Sequence, residues 1–190
     1  MKTENQSPAL ATKVITGKVR FSYAHVWEAV ANDENSKPKF SVALLIPKSD
    51  KKTIAAINRA VEAAKQQGKT SKFGGKLPVN LKLPLRDGDE ERPDDEVYSG
   101  HYFVNASALT KPGIVDKDRN PIMDKEDFYS GCYGIASVNF YPFAVSGNKG
   151  IACGLNNLMK TQDGEPLGGR ISAEDDFAEV EISEEAEDLL

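Results

Sequence analysis

The side chains that most often carry catalysis are sparse in this chain. His25 and His101 are its two histidines, and neither stands in an HxxH or HExxH spacing that would bind zinc. No GxSxG segment marks a nucleophilic serine, and no GxxxxGK[ST] segment marks a phosphate-binding loop. Cys132 and Cys153 lie outside any CxxC pair, which predicts two partly buried free thiols. The sequence therefore predicts no catalytic residue, no metal site and no cofactor.

A second candidate for chemistry is the run from Asp87 to Glu96, which holds seven acidic residues around Arg92 and Pro93. Carboxylates are the ligands that Mg²⁺ takes, so a metal-dependent nuclease is one interpretation of this run. Consecutive charges around a proline are more typical of a solvated loop that is too polar to pack. We predict such a loop here.

Positive and negative charges are separated along the chain. All 24 basic residues lie at or before Arg170, whereas residues 173–190 hold nine acidic residues and no basic one. The net charge of -5 therefore hides a body of net charge +4 and, within residues 13–82, a net charge of +9. A basic body favours binding to polyanions. An acidic tail resembles DNA electrostatically, so we expect it to occupy the basic surface until a strand displaces it.

Aromatic residues are interleaved with the basic ones. A single nucleic-acid strand is bound by lysines and arginines along its phosphates and by aromatic rings on which its bases stack. Tyrosines that share a strand face with polar residues are better candidates than phenylalanines, which we expect in the core. The predicted nucleic-acid-binding residues are Lys18, Arg20, Tyr23, Trp27, Lys76, Lys82, Tyr102, Tyr133, Tyr141 and Lys149.

These residues fall mostly on segments with the pattern of β-strands. The strand candidates are residues 18–24, 40–46, 98–107, 131–143 and 150–160. Gly131 and Gly134 within one candidate indicate bulges or a sharply curved sheet, as a small barrel needs. Residues 112–121 predict a hairpin with its turn near residues 118–120.

One helix is predicted between the second and third strand candidates. Ser49 or Asp50 can cap its N-terminus, and apolar residues recur at steps of three and four from Ile54 to Ala64. Gly68 is expected to end it. Helices and strands do not alternate along the chain, so the pattern predicts a mainly β protein with one α-helix and long loops.

The chain divides into three predicted parts. Residues 1–12 are predicted to be a flexible leader, residues 13–172 one β-rich domain, and residues 173–190 a disordered acidic tail. No segment is apolar over the about 18 residues that a membrane span needs, and none resembles a signal peptide, so we expect a cytoplasmic protein. The tail residues predicted to contact partner proteins are Asp175, Asp176, Phe177, Leu189 and Leu190.

Three long segments, Tyr129–Tyr141, Gly147–Asn157 and Leu167–Phe177, resemble a family of phage single-stranded DNA-binding proteins long classed as a domain of unknown function. The resemblance covers about Val14 to Phe177. It implies an OB fold, sequence-tolerant binding of single strands, and a role in phage DNA replication or recombination in the infected bacterium. It also implies that the acidic tail recruits phage or host replication proteins. Many acidic-tailed single-strand binders end in an aromatic residue, whereas this chain ends in two leucines.

The sequence as a whole predicts an OB-fold-like antiparallel barrel with one α-helix, long loops and a disordered acidic C-terminal tail, which binds single-stranded DNA and is not an enzyme. Two alternatives stay open. One is a protein-interaction module whose barrel never touches DNA, and the other is the metal-dependent nuclease described above. The oligomeric state, with a homodimer included, also stays open.

Overall fold

The computed structural model describes residues 11–168 and 177–180. Within these residues it contains eight strands and two helices, and neither helix is long and apolar enough to cross a membrane. The strands are β1 (Lys13–Ile15), β2 (Val19–Val30), β3 (Lys39–Pro47), β4 (Arg86–Asp87), β5 (His101–Ala108), β6 (Gly113–Val115), β7 (Tyr133–Val145) and β8 (Asn148–Gln162). The helices are α1 (Lys51–Ser71) and the single turn α2 (Gly88–Glu91).

Five strands form a closed ring. β2 pairs with β3, β3 with β5, β7 with β8 and β7 with β2, all antiparallel, and the parallel pairing of β5 with β8 completes the circuit. β1 extends β7, β6 extends β8 and β4 extends β5. A five-stranded barrel with this strand order is an OB-like fold, so the predicted fold class is confirmed.

Large apolar side chains fill the ring. Phe21 and Phe128 lie in contact with ring centroids 4.9 Å apart, and Leu44, Val104 and Phe140 are buried around them. Along β7 the even-numbered residues 134–140 are buried and the odd-numbered ones face outward, as their alternation predicted. Burying this apolar surface is the main source of stability for such a barrel.

Gly134 lies where β7 approaches both β8 and the side chain of Phe21 very closely. A Cβ atom at this position would stand 1.8 Å from the carbonyl oxygen of Met159 and 3.0 Å from the ring of Phe21. The register of the β7–β8 ladder also shifts between Tyr133 and Gly134. The irregular, sharply curved strand predicted from the glycines is therefore present.

Helix α1 packs against β7 and β1 through Ile57, Val61 and Ala64. The carboxylate of Asp50 accepts a hydrogen bond from the backbone N–H of Thr53 at 3.1 Å, so Asp50 is the N-cap. The prediction that Gly68 ends the helix is wrong, because α1 continues to Ser71. Gly68 instead allows close packing, since a Cβ atom there would lie 2.5 Å from the ring of Phe73.

Cys132 and Cys153 are both free and buried. Burial raises the pKa of each thiol above its ordinary value, because the thiolate would lose its hydration. Both cysteines therefore act as small core residues rather than as reactive groups.

Candidate nucleic-acid interface

An open groove crosses the outward face of β2, β3 and β5. Its volume is about 360 Å³. Its floor is made by side chains at alternate positions of two paired strands, where Ala43 pairs with Asn105 and Ser41 pairs with Ser107. Residues 31–38, which connect β2 to β3, form one rim. The lining residues are Tyr23, Val30, Asn32, Ser36, Lys37, Lys39, Ser41, Val42, Ala43, Asn105, Ala106 and Ser107.

Tyr23 stands at the other side of this groove in an unusual backbone conformation. Its φ angle is +47°, in the left-handed region that a residue with a Cβ atom rarely adopts. The β2–β3 ladder shifts register between Ser22 and His25, and the backbone N–H of Ala24 donates a hydrogen bond to Ser130 Oγ at 2.9 Å. The strand alternation places Tyr23 with Val19 on the buried face, but this bulge turns the ring outward and leaves the residue 54% exposed. Backbone strain of this kind often marks a functional position.

The part of the sheet face beyond the groove is covered by residues 87–99, which we call the acidic strap. Tyr98 is 1% exposed and packs edge-on against Phe103 with ring centroids 5.1 Å apart. Leu45, which pairs with Phe103, completes this small apolar cluster outside the barrel core. Most residues from Asp87 to Glu96 are exposed, as the predicted solvated loop requires, but the segment as a whole is anchored to the sheet through Tyr98. The sequence analysis did not connect Tyr98 with this loop, because the tyrosine lies just beyond the charged run.

Cations hold the strap in place. Lys48 Nζ lies 2.8 Å from Asp87 Oδ1 and 2.7 Å from Asp89 Oδ2. These hydrogen bonds lower the pKa of both carboxyl groups and raise the pKa of Lys48. Arg86 pairs with Glu91 at 2.7 Å. These carboxylates are thus bound to neighbouring cations rather than grouped around a metal position. The described residues contain no group of three or more His, Cys, Asp or Glu side chains placed to hold a metal ion.

Arg92 joins the strap to the groove. Its guanidinium carbon lies 4.8 Å from the ring centroid of Tyr98, 5.8 Å from that of Phe103 and 5.5 Å from that of Tyr23. Cation–π attraction favours such positions. Because the rings of Tyr98 and Phe103 are fixed by burial, Arg92 can support the exposed ring of Tyr23 from the strap side.

Replacing Lys48 by methionine is expected to loosen the strap. Lowered carboxyl pKa values stabilise the folded strap above the ordinary pKa of aspartate, about 4, and that contribution is lost as the pH falls through the lowered values. In the wild type, hydrogen exchange in residues 87–100 should be slow at neutral pH, and the Tyr98 ring signals in NMR spectra should shift only at acidic pH. In the variant, exchange should be faster at neutral pH and the acid-induced shift smaller. Lys65→Met, which removes an ion pair on α1, is the control. Equal strap exchange in both variants would contradict this role.

A second recess, of about 370 Å³, lies on the other side of Tyr23. Asp95, Val97 and Tyr98 of the strap form part of its wall. Leu167 and Gly168 form another part, and the backbone N–H of Leu167 donates a hydrogen bond to Ser130 O at 2.8 Å. Gly168 is the last described residue before residues 169–176. The described chain therefore passes beside Tyr23 at Leu167 and Gly168, a few residues before the acidic segment in the sequence.

Three predicted residues form a separate cluster where β2 meets β7. Lys18 Nζ and the guanidinium carbon of Arg20 lie 5.1 Å and 5.3 Å from the ring centroid of Tyr133. Arg20 also donates hydrogen bonds to Gly131 O at 3.1 Å and Glu165 O at 2.8 Å. Arg20 thereby fastens the segment after β8 to the barrel, which gives this side chain a structural role.

Other predicted residues lie at further positions on the barrel. Trp27 donates its indole N–H to Phe128 O at 2.9 Å, and Lys111 Nζ lies 4.7 Å from its ring centroid. Tyr102 has Lys48 Nζ 5.1 Å from its ring centroid, at the strap. Neither residue lines the groove.

The remaining predicted residues belong to the β7–β8 hairpin and the loop beside it. The backbone N–H of Lys82 donates to Lys149 O at 3.0 Å, and the N–H of Ile151 donates to Lys82 O at 2.9 Å. Tyr141 is 39% exposed on the outer face of β7, and Lys76 is exposed in the loop. The ten predicted residues are thus spread over several surfaces, and only Tyr23 lines the groove.

The structure adds residues that the sequence analysis did not select. Lys37 and Lys39 stand on the polar break between two strands, and Asn105 and Ser107 were assigned to a strand face without a role. Arg92 lies inside the acidic run. Short polar side chains and isolated lysines give no individual signal in a sequence, because most of them only contact water.

Most of the predicted partner-binding residues lie outside the described part of the chain. Asp175, Asp176, Leu189 and Leu190 are outside it, and so are residues 1–10 of the predicted leader 1–12. Phe177 is described and is 65% exposed. The tail contacts stay predictions.

The closed ring and the groove on its β2–β3–β5 face together define an OB-like oligonucleotide-binding fold. Over residues 12–190 the chain matches the family described as the ssDNA-binding protein of Enterobacter phage Enc34, and it belongs to that family. This confirms the resemblance seen in the sequence. The family is one of DNA-binding proteins, which confirms that the chain is not an enzyme.

Individual relatives agree with this assignment. Protein p50 of Acyrthosiphon pisum secondary endosymbiont phage 1 is 26% identical over 182 residues, which are 92% of this chain and 97% of the relative. The single-stranded DNA-binding protein from bacteriophage Enc34, solved in complex with ssDNA, is 26% identical with a TM-score of 0.71. That match covers 83% of this chain and 90% of the other. The bacteriophage T7 protein gp2.5, at 16% identity and a TM-score of 0.59 over 89% of this chain and 94% of its own, shares the fold.

Proposed function

We propose that this chain binds single-stranded DNA in the groove over β2, β3 and β5, without strong sequence preference, during phage DNA replication or recombination. The observation that carries the proposal is the outward ring of Tyr23 at the edge of a groove whose opposite rim holds Lys37 and Lys39. Membership of a phage ssDNA-binding family and a solved relative in complex with ssDNA support it.

Each part of the groove suits one part of a strand. The ring of Tyr23 offers a face on which any base can stack, which is sequence-tolerant. Lys37 and Lys39 can neutralise phosphates, and the release of counterions makes that contribution sensitive to salt. Asn105 and Ser107 add a few hydrogen bonds on the floor. The small number of such donors and acceptors agrees with weak base preference.

The predicted residues outside the groove can extend the path of the strand. Lys82, Lys149 and Tyr141 combine charge with an exposed ring on the β7–β8 hairpin. They remain proposed contacts, as do the cluster around Tyr133 and the residues Lys76, Tyr102 and Trp27. The groove is the first contact that we propose.

We further propose that the acidic tail has two roles in the infected bacterial cell. It competes with DNA for the basic surface, and it recruits phage or host replication proteins through its acidic residues and through Phe177 or the terminal leucines. The position of Leu167 and Gly168 beside Tyr23, a few residues before the tail in the sequence, supports the first role. Its mixture of acidic and apolar residues supports the second.

The test of the proposed function is a titration of fluorescent oligo-dT and of a matched duplex at two salt concentrations, without metal. Tight, salt-sensitive binding to oligo-dT and much weaker binding to the duplex are expected. If neither binds at low salt, the function is wrong and a protein-interaction module becomes the better interpretation. Degradation of the oligonucleotide on adding Mg²⁺ would instead support a nuclease.

The double variant Lys37→Ala and Lys39→Ala is expected to weaken oligo-dT binding by about three- to tenfold at low salt. The slope of log affinity against log salt should become shallower by about 1.4, because each phosphate contact on a single strand accounts for about 0.7. The matched control is Lys51→Ala with Lys52→Ala, which removes the same charge from the start of α1, away from the groove. An equal loss in the control would show that total charge, and not the groove, determines the affinity.

A further inference from the structure

The acidic residues of the strap fall into two sets. Asp87 and Asp89 share an ion pair with Lys48, and Glu91 pairs with Arg86. The remaining acidic residues make no ion pair within the described chain, and three of the four are exposed. They are Glu90, Asp94, Asp95 and Glu96. The strap therefore carries carboxylates that no ion pair compensates, although the segment itself is anchored to the sheet.

This uncompensated charge stands on one side of the proposed binding site. Asp95 shares the wall of the recess with Tyr23, and Tyr23 also lines the groove. The opposite rim of the groove carries Lys37 and Lys39. The site is thus electrostatically asymmetric, with Lys37 and Lys39 at one rim and, on the strap, carboxylates that outnumber the one cation there, Arg92, which lies against Tyr23.

Single and double strands respond differently to such asymmetry. A single strand has one line of phosphates, which can follow the basic rim while the bases turn toward Tyr23. A duplex carries a phosphate line on both sides of each groove, about 12 Å apart across the major groove and about 6 Å apart across the minor groove. Its second line would have to approach the acidic flank, and like charges brought together oppose binding.

We propose that the acidic strap is a specificity-determining element that disfavours duplex DNA at the groove. Asp95 lines the recess beside Tyr23, its exposed sequence neighbours Asp94 and Glu96 add charge to the same segment, and Tyr98 and Arg92 hold the segment there. The proposal rests on the proposed function, because it concerns the same groove. It goes further by assigning the discrimination between single and double strands to a segment of the folded domain.

The test replaces the three charges by neutral side chains of the same shape, Asp94→Asn, Asp95→Asn and Glu96→Gln, in the full chain. An amide oxygen at position 95 can still accept the hydrogen bond that Asp95 Oδ1 receives from the N–H of Val97 at 3.1 Å. The affinities for oligo-dT and for a hairpin duplex are then measured at one low salt concentration. We expect duplex binding to tighten by about tenfold or more and oligo-dT binding by less than about threefold.

The matched control is Asp118→Asn, Glu126→Gln and Asp127→Asn. It changes the net charge equally on exposed residues that line neither the groove nor the recess. The proposal is overturned if the strap variant changes both affinities by the same factor, or if the control raises duplex binding as much. If the wild type did not bind oligo-dT, the proposed function itself would be wrong. That outcome is distinct from one in which the wild type binds oligo-dT but the strap does not determine specificity.

Discussion

Replacing Tyr23 by alanine is expected to weaken oligo-dT binding by about tenfold to a hundredfold. A base stacked on an aromatic ring contributes about 1–3 kcal/mol by alanine substitution, and about 1.4 kcal/mol corresponds to a factor of ten. Tyr23 is the one aromatic residue that lines the groove among the described residues, and its ring is held outward by the bulge in β2 and by Arg92. Fluorescence anisotropy with a labelled oligo-dT measures the change.

Two further variants test whether the ring is the cause. Tyr23→Phe keeps the stacking surface and loses only the hydroxyl, which lies 3.5 Å from Arg92 Nη1, so its affinity should stay within about threefold of the wild type. Tyr141→Ala removes a half-exposed ring from the outer face of β7 and should cost less than Tyr23→Ala. Because Tyr23 is exposed, its replacement should leave the thermal unfolding temperature nearly unchanged. The assignment of Tyr23 would be wrong if Tyr23→Ala bound normally, or if Tyr141→Ala lost as much affinity.

Deleting residues 173–190 is expected to tighten oligo-dT binding by about tenfold or more at low salt. The deletion removes nine acidic residues and no basic one. The tethered segment follows Gly168, which lines the recess beside Tyr23, and an extended chain covers about 3.3 Å per residue. The tail can therefore reach the groove, where tethering gives it a high effective concentration. The gain should shrink as salt is added, because both competitors are polyanions.

A tail of unchanged length provides the control for this prediction. Replacing its acidic residues by asparagine and glutamine should reproduce most of the gain, because charge is the cause. Phe177→Ser in the intact tail should leave the competition nearly unchanged, since its exposed ring is assigned to partner proteins. If the truncated chain bound DNA no better than the full chain, the tail would have no autoinhibitory role.

Much of the fold follows from local patterns in the sequence. Alternation in residues 131–143 reflects which side chains face the core, and that is a property of each strand by itself. The same is true of the apolar stripe on α1 and of the turn at residues 118–120. Charge separation between the body and the last 18 residues is likewise visible without coordinates. These features established a mainly β, DNA-binding type of protein.

The composition of the groove depended on long-range contacts. Ser41 and Ser107 become neighbours only because β3 pairs with β5, and the strand register is not encoded in either segment alone. Tyr23 faces outward because a bulge interrupts the strand alternation, which without the bulge would place it on the same face as the buried Val19 and Phe21. The acidic run is held against the sheet because Tyr98, which lies outside the run, packs on Phe103 and Leu45.

The sequence by itself thus determined the residue types suited to a polyanion, the strands that carry them and the acidic segment that we propose as a competitor. Only the tertiary structure decided which of these residues share a surface. Local periodicity specifies the face on which a side chain lies, whereas barrel closure and strand register specify its neighbours. For that reason ten residues chosen by chemistry were distributed over several surfaces, and the groove was completed by Lys37, Lys39, Asn105 and Ser107.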